Sequence, residues 1–239
     1  RLEEANHILD ASKKESFNNK AFSLFEKKLR QAKSAAIIPN DQKSLEPNFN
    51  EPEEDDVADL IKLHSKGQFD AVLEKLAPML KIFPTSLVLL NISGSTYASL
   101  NQFDKAIRSY KKALKINPTA TDIQNNIGVL LAKKNDLETA IRWYKAAIEN
   151  RPNFFEAHEN LGLAYSNSGQ LTDALNCFKS ATAISPEAAT PFFNMGNIYM
   201  KLKKFNEAIQ CFKKAITLEE KYSEAYSNLG ILLRITGRL

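Results

Sequence analysis

Two cysteines, three histidines, three methionines and one tryptophan are scarce material for chemistry in a chain of 239 residues. His7, His64 and His158 are scattered, and no zinc-like Cys/His spacing, glycine-rich phosphate loop or nucleophile elbow occurs. The sequence therefore predicts no catalytic residue, metal or cofactor, and a non-enzymatic role. No apolar run approaches the roughly 20 residues needed to cross a bilayer, and no signal peptide is visible. Charge of one sign is also lacking. Lys plus Arg number 32 against 28 acids, a net +4 spread along the chain. That is too mild and diffuse to argue for nucleic acid.

What the sequence does have is a period of 34 residues. Pro84, Pro118, Pro152 and Pro186 keep it, as do Gly94, Gly128, Gly162, Gly196 and Gly230. Two alanine columns follow the same step: Ala106, Ala140, Ala174, Ala208 and Ala113, Ala147, Ala181, Ala215. A fixed period of this size marks a solenoid, in which each unit stacks on its neighbours. Cys177 and Cys211 also stand one period apart. Equivalent sites on stacked helices lie about 8–10 Å apart, too far for a disulfide without movement. Nothing calls for an oxidising compartment, and a cytoplasmic location is expected.

Within one period, Leu87, Leu90, Ser93, Gly94 and Tyr97 fall on one helical face. Asn101-Gln102 breaks the pattern, Phe103 anchors the turn and Asp104 is the expected N-cap. A second stripe follows in Ala106, Ile107, Tyr110, Ala113 and Leu114, and Asn117-Pro118 ends it. The unit reads as two antiparallel helices. A mid-helix glycine costs about 1 kcal/mol relative to alanine, so the Gly column implies a neighbour too close for a side chain. The aromatic column Tyr110, Tyr144, Phe178 and Phe212 fills the space between helices.

Gly-x-x-Tyr in the first helix, Ala-x-x-x-Phe/Tyr-x-x-Ala in the second and a closing Pro resemble the tetratricopeptide repeat. The resemblance covers Glu53 to Leu239 and implies an all-α, right-handed solenoid of stacked antiparallel helix pairs. Expected repeats are 53–86, 87–120, 121–154, 155–188 and 189–222, with a partial one at 223–239. Departures are local. Leu60 replaces the first Gly, Leu131 and Leu233 replace the Tyr, Glu220 replaces the Pro, and Pro78 should kink its helix. The chain starts at Arg1 and stops inside a repeat, so both ends are expected to be cut.

Ahead of the array, Phe17 to Phe25 echoes Phe103 to Tyr110 with one residue inserted. Residues 1–33 read as a degenerate helix pair or a single amphipathic helix. Residues 34–52, with three prolines and no periodicity, read as a polar, acidic linker.

The resemblance implies that first helices line the concave face. Asn126, Asn160, Asn194 and Asn228 each lie two residues before the repeat Gly. Asn is a poor helix former, so the column needs a reason. One is a ladder of amides, each offering donor and acceptor to an extended peptide backbone. The other is bonding to the neighbouring repeat. A similar Asn column occurs in the repeat domain of O-linked N-acetylglucosamine transferase, which these units resemble, as they do bacterial arrays fused to transferase domains. Flanking candidates are Asp122, Asn125, Glu156, Glu159, Phe193, Asn197, Met200 and Glu224, with Lys133, Lys201 and Arg234 at the far edge. A neutral or basic extended protein client is expected. The two-carboxylate clamp of chaperone-binding relatives is not, because of the residues after Gly only Asn197 suits it.

The leading function is a protein-binding scaffold holding an extended segment in its groove. The alternatives are the substrate-recognition arm of a larger glycosyltransferase, sulfotransferase or oxygenase, and self-association through the unpaired last helix.

Overall fold

The computed structural model describes residues 51–238. The expectations for residues 1–33, and for all but the last two residues of the segment 34–52, lie outside the described residues. Among the described residues there are eleven helices and no strand. They fall into two compact units that divide between Ile116 and Asn117.

The first unit holds α1 (Glu54–Ser65), α2 (Phe69–Ile82), α3 (Leu87–Ser99) and α4 (Phe103–Ile116). Each helix packs on the next, and α1 also touches α3. Leu60 and Leu76, both fully buried, occupy the places that Gly and the aromatic take in later pairs. Two leucines thus stand where the later pairs have a glycine and a ring. Helix α2 runs on through Pro78 to Ile82 without a break in its assignment. Asp104 is not the N-cap expected of it. Helix α4 begins at Phe103, so Asp104 lies inside the first turn, where a carboxylate complements the helix dipole.

The second unit holds α5 (Thr121–Lys133), α6 (Leu137–Asn150), α7 (Phe155–Asn167), α8 (Leu171–Ile184), α9 (Ala189–Lys201), α10 (Phe205–Leu218) and α11 (Ser223–Ile235). Consecutive helices pack as pairs, and each pair stacks on the next. All eight alanines of the two columns are fully buried.

The Gly column has a specific cause. A Cβ built on Gly128 would lie 2.5 Å from the Tyr144 ring, on Gly162 2.7 Å from Phe178, and on Gly196 2.6 Å from Phe212. Gly94 is covered in the same way by Tyr110. Each ring of a second helix therefore sits in a gap that only glycine leaves. Gly230 differs, because a Cβ there would meet nothing within 4 Å.

The turns show a column that the sequence reading did not isolate. Gly67, Asn101, Asn135, Gly169, Lys203 and Gly237 all have positive φ, between 56° and 80°. Each closes its first helix with a backbone bond spanning five residues, such as Gln170 N to Tyr165 O at 2.8 Å. Because a single left-handed residue turns the chain, three residues suffice between helices.

Candidate functional site

The second unit carries every residue singled out in the Asn column. Helix α5 touches α7 and α7 touches α9, while the second helices make at most slight contact with one another. The first helices are thus drawn together on the inner side of this unit, and their outward residues line a cleft of about 560 Å³. Its walls include Leu163, Ser166 and Asn167 of α7, Asn194, Asn197, Met200 and Lys201 of α9, and Asn228 of α11.

The Asn column splits into two kinds. Asn160 is buried and donates its Nδ2 to Oδ1 of Asn125 at 3.0 Å. Asn228 does the same two helix pairs further on, donating to Oδ1 of Asn197 at 2.8 Å. Both bonds join neighbouring first helices through side-chain amides, rather than through backbone. Asn126 and Asn194 are half-buried, and neither makes a side-chain hydrogen bond among the described residues. Asn194 faces the cleft beside the Asn197–Asn228 pair. In that pair the Asn197 amide nitrogen and the Asn228 amide oxygen are the ends not used by the shared bond.

The flanking residues separate by charge. Glu156, Glu159 and Glu224 stand half-buried in the early turns of their helices. Glu159 accepts a hydrogen bond from the Thr190 hydroxyl, and Glu224 accepts one from Ser223 at 3.1 Å. Asp122 pairs with Arg151 at 2.8 Å, and that guanidinium stacks 3.5 Å from the centre of the Phe154 ring. Phe193 is half-buried between Phe212 and Tyr222, 5.9 and 4.8 Å between ring centres. It packs against the apolar cluster of α9, α10 and α11. Lys133, Lys201 and Arg234 are exposed at the opposite ends of the same helices. Within the cleft itself Lys201 is the one charged lining residue.

Leu163 belongs to the cleft and was missed by the sequence reading. It is 41% exposed and lies in the column directly after Gly, which was tested only against the clamp. An exposed leucine beside the groove amides was the available signal.

No other grouping in the unit suggests chemistry. His158 is half-buried, and its Nε2 donates to the Pro152 carbonyl oxygen at 2.8 Å. The thiols of Cys177 and Cys211 are free. Burial pushes both up to about 11, so neither is a ready nucleophile. Among the described residues, no cluster of His, Cys, Asp and Glu could hold a metal. No helix there is long and apolar enough to cross a membrane.

Comparison with known proteins follows the same lines. Tetratricopeptide repeat models match residues 94–135, 130–169, 167–203 and 189–222, which together span just over half of the chain. No curated protein matches it significantly. Among solved structures, MamA aligns at 26% identity over 69% of this chain and 96% of its own, with a TM-score of 0.64. YrrB, described as a TPR protein with an unusual peptide-binding site, aligns at 22% over 74% and 91%, with a TM-score of 0.61. Pseudomonas aeruginosa PilF aligns at 16% over 77% and 84%, with a TM-score of 0.69.

Proposed function

The chain belongs to the tetratricopeptide repeat family, and from that premise we propose that its second unit holds an extended segment of another protein in the cleft around Asn194. Repeats of this family are scaffolds for protein–protein interaction, and YrrB is described as having a peptide-binding site. The observation that carries the reading is Asn194 itself. It is half-buried, faces the cleft, and bonds to no other described side chain or backbone group. A helix interior is a poor place for such an amide unless something meets it.

A peptide backbone meets it well. One amide offers a donor and an acceptor, which match the two groups of a backbone unit. The Asn197–Asn228 pair supplies a second donor and acceptor nearby. Leu163 and Met200 offer apolar contact to a side chain on the same strand. Recognition of this kind reads the backbone more than the sequence of the client. The acids at one margin and the lysines at the other orient a neutral or basic client across the groove, with its cationic side chains toward Glu156, Glu159 and Glu224. Asn126, Asn160, Asn125, Glu159, Phe193 and Asn197 complete the proposed groove, in supporting or flanking places.

The test is Asn194→Ala, assayed by melting temperature and by binding to an array of unstructured peptides. Binding should fall while melting stays unchanged. Undiminished peptide binding in the variant would remove Asn194 from the site.

A further inference from the structure

The mild net charge of +4 hides a strong local imbalance in the first unit. Helix α4 carries five bases, Lys105, Arg108, Lys111, Lys112 and Lys115, against the single acid Asp104. All five are exposed, and none forms a salt bridge among the described residues. Their spacings of three and four residues gather them on one face. That face is turned away from the buried Ala106, Ile107, Tyr110 and Ala113.

The repeat does not require such a face. The charges of α2, α6 and α8 balance to zero, and α10 carries +1. Helix α6 pairs its own charges, with Arg142 on Glu138 at 3.0 Å. On α4, like charges three and four residues apart repel one another and weaken the helix. An anionic segment laid along the stripe relieves that repulsion.

The same unit holds the complement. Residues 51–116 contain nine acids and nine bases, so the unit is neutral but polarised. Six of the acids fall in residues 51–59, where there is no base. Residues 82–103 carry no charge at all, so the uncharged α3, on which both α1 and α4 pack, stands between the two groups. Helices α5, α7 and α11 each have one acid in the first turn, which suits the helix dipole. Helix α1 has three there, with Glu51 and Glu53 just ahead. Glu51, Glu53, Asp55 and Asp56 are exposed, and the last three form no salt bridge among the described residues. The Ser86 hydroxyl donates to the Glu51 carboxylate and fixes this lead against the start of α3. The acids of residues 51–56 extend over about 11 Å and the α4 stripe over about 15 Å.

We propose that the basic face of α4 in one copy of this chain binds residues 51–56 of another. The two surfaces differ, so the contact is head to tail and builds an open chain or a closed ring. Because the unit is neutral overall, no net charge on it opposes the approach. A lipid surface fits less well, since the apolar face of α4 is turned into the core and leaves nothing to enter a bilayer. Single-stranded nucleic acid also fits less well, since Tyr110 is buried and offers no ring for a base to stack on. The contact lies in the first unit and the groove in the second, so either reading can fail without the other.

Sedimentation of the full chain tests it. At about 0.01 M salt, where charges act over about 30 Å, the wild type should sediment faster as its concentration rises. At about 1 M salt, where they act over about 3 Å, it should sediment as a monomer. Reversing the stripe with R108E, K112E and K115E, or the acidic segment with E53K, D55K and D56K, should give a monomer at low salt. Mixed, the two variants present opposite charges to each other and should associate again, which also shows that both fold. A wild type that stays monomeric at low salt overturns the proposal, and does so even where a poly-glutamate peptide binds α4, since the partner is then another protein. So does association that survives high salt or either set of substitutions. A mixture that stays monomeric while both variants keep the wild-type circular dichroism overturns it as well.

Discussion

Asn160 and Asn125 share one amide hydrogen bond of 3.0 Å across two neighbouring first helices, and both side chains are buried. The same column therefore stabilises stacking at one position and leaves Asn194 open at the next. Asn160→Ala strips Asn125 of its donor. A buried acceptor left unpaired costs roughly 1–3 kcal/mol, so chemical denaturation should show a loss of that size. Asn194→Ala should change stability by less than about 0.5 kcal/mol. Equal losses in the two variants would contradict the division of the column.

The glycines should respond in opposite directions. At Gly162 an added methyl would meet the Phe178 ring at 2.7 Å, so Gly162→Ala should destabilise by about 1–3 kcal/mol through overpacking. At Gly230 the methyl meets nothing, and alanine is the better helix former by about 1 kcal/mol. Gly230→Ala should then raise stability in dilute solution. Thermal melts of the two variants side by side check both signs.

Lys203 is a non-glycine residue held at φ 58°, in the turn column where Gly67 and Gly169 also stand. Left-handed backbone costs an ordinary residue about 1–2 kcal/mol. Lys203→Gly should stabilise the second unit by up to about 1 kcal/mol, once glycine's extra freedom in the unfolded chain is set against that strain. An unchanged or lowered denaturation midpoint would show that the turn carries no strain.

His64 gives the first unit a pH dependence. It is buried, bonds the Ser95 hydroxyl at 2.9 Å and meets the Phe69 ring edge-on. Burial lowers its pKa below the ordinary 6.5. The unfolded chain then takes up the proton more readily than the folded one. The His64 contribution is complete above about pH 6.5 and is lost as pH falls from there toward the folded value. Melting temperature measured from pH 7.5 down to 5 should decline, and His64→Gln should flatten the decline. A variant with the same slope would assign the dependence to another group.

Much of the fold was legible because its causes are local and repeated. The Gly, Ala and aromatic columns follow from helix spacing and from steric limits that recur every 34 residues. Their joint meaning needed no coordinates, although the direct seating of each ring on its glycine did. The N-cap at Asp104 was misread by two residues, since Phe103 already begins the helix. The left-handed column hid because Gly, Asn and Lys share that backbone state without sharing a side-chain signal.

The site was less legible. Asn126, Asn160, Asn194 and Asn228 look alike in the sequence. What separates them is whether a partner amide happens to stand one repeat away: Asn125 for Asn160 and Asn197 for Asn228. Those partners sit at different offsets from their own glycines, so no single column shows them. The sequence by itself determined the repeat, its period and the buried face of every helix, because these depend on spacing along one chain. Only the tertiary structure decided which amides are already bonded and where the cleft opens. Each of these depends on the distance between side chains that the sequence holds some thirty residues apart.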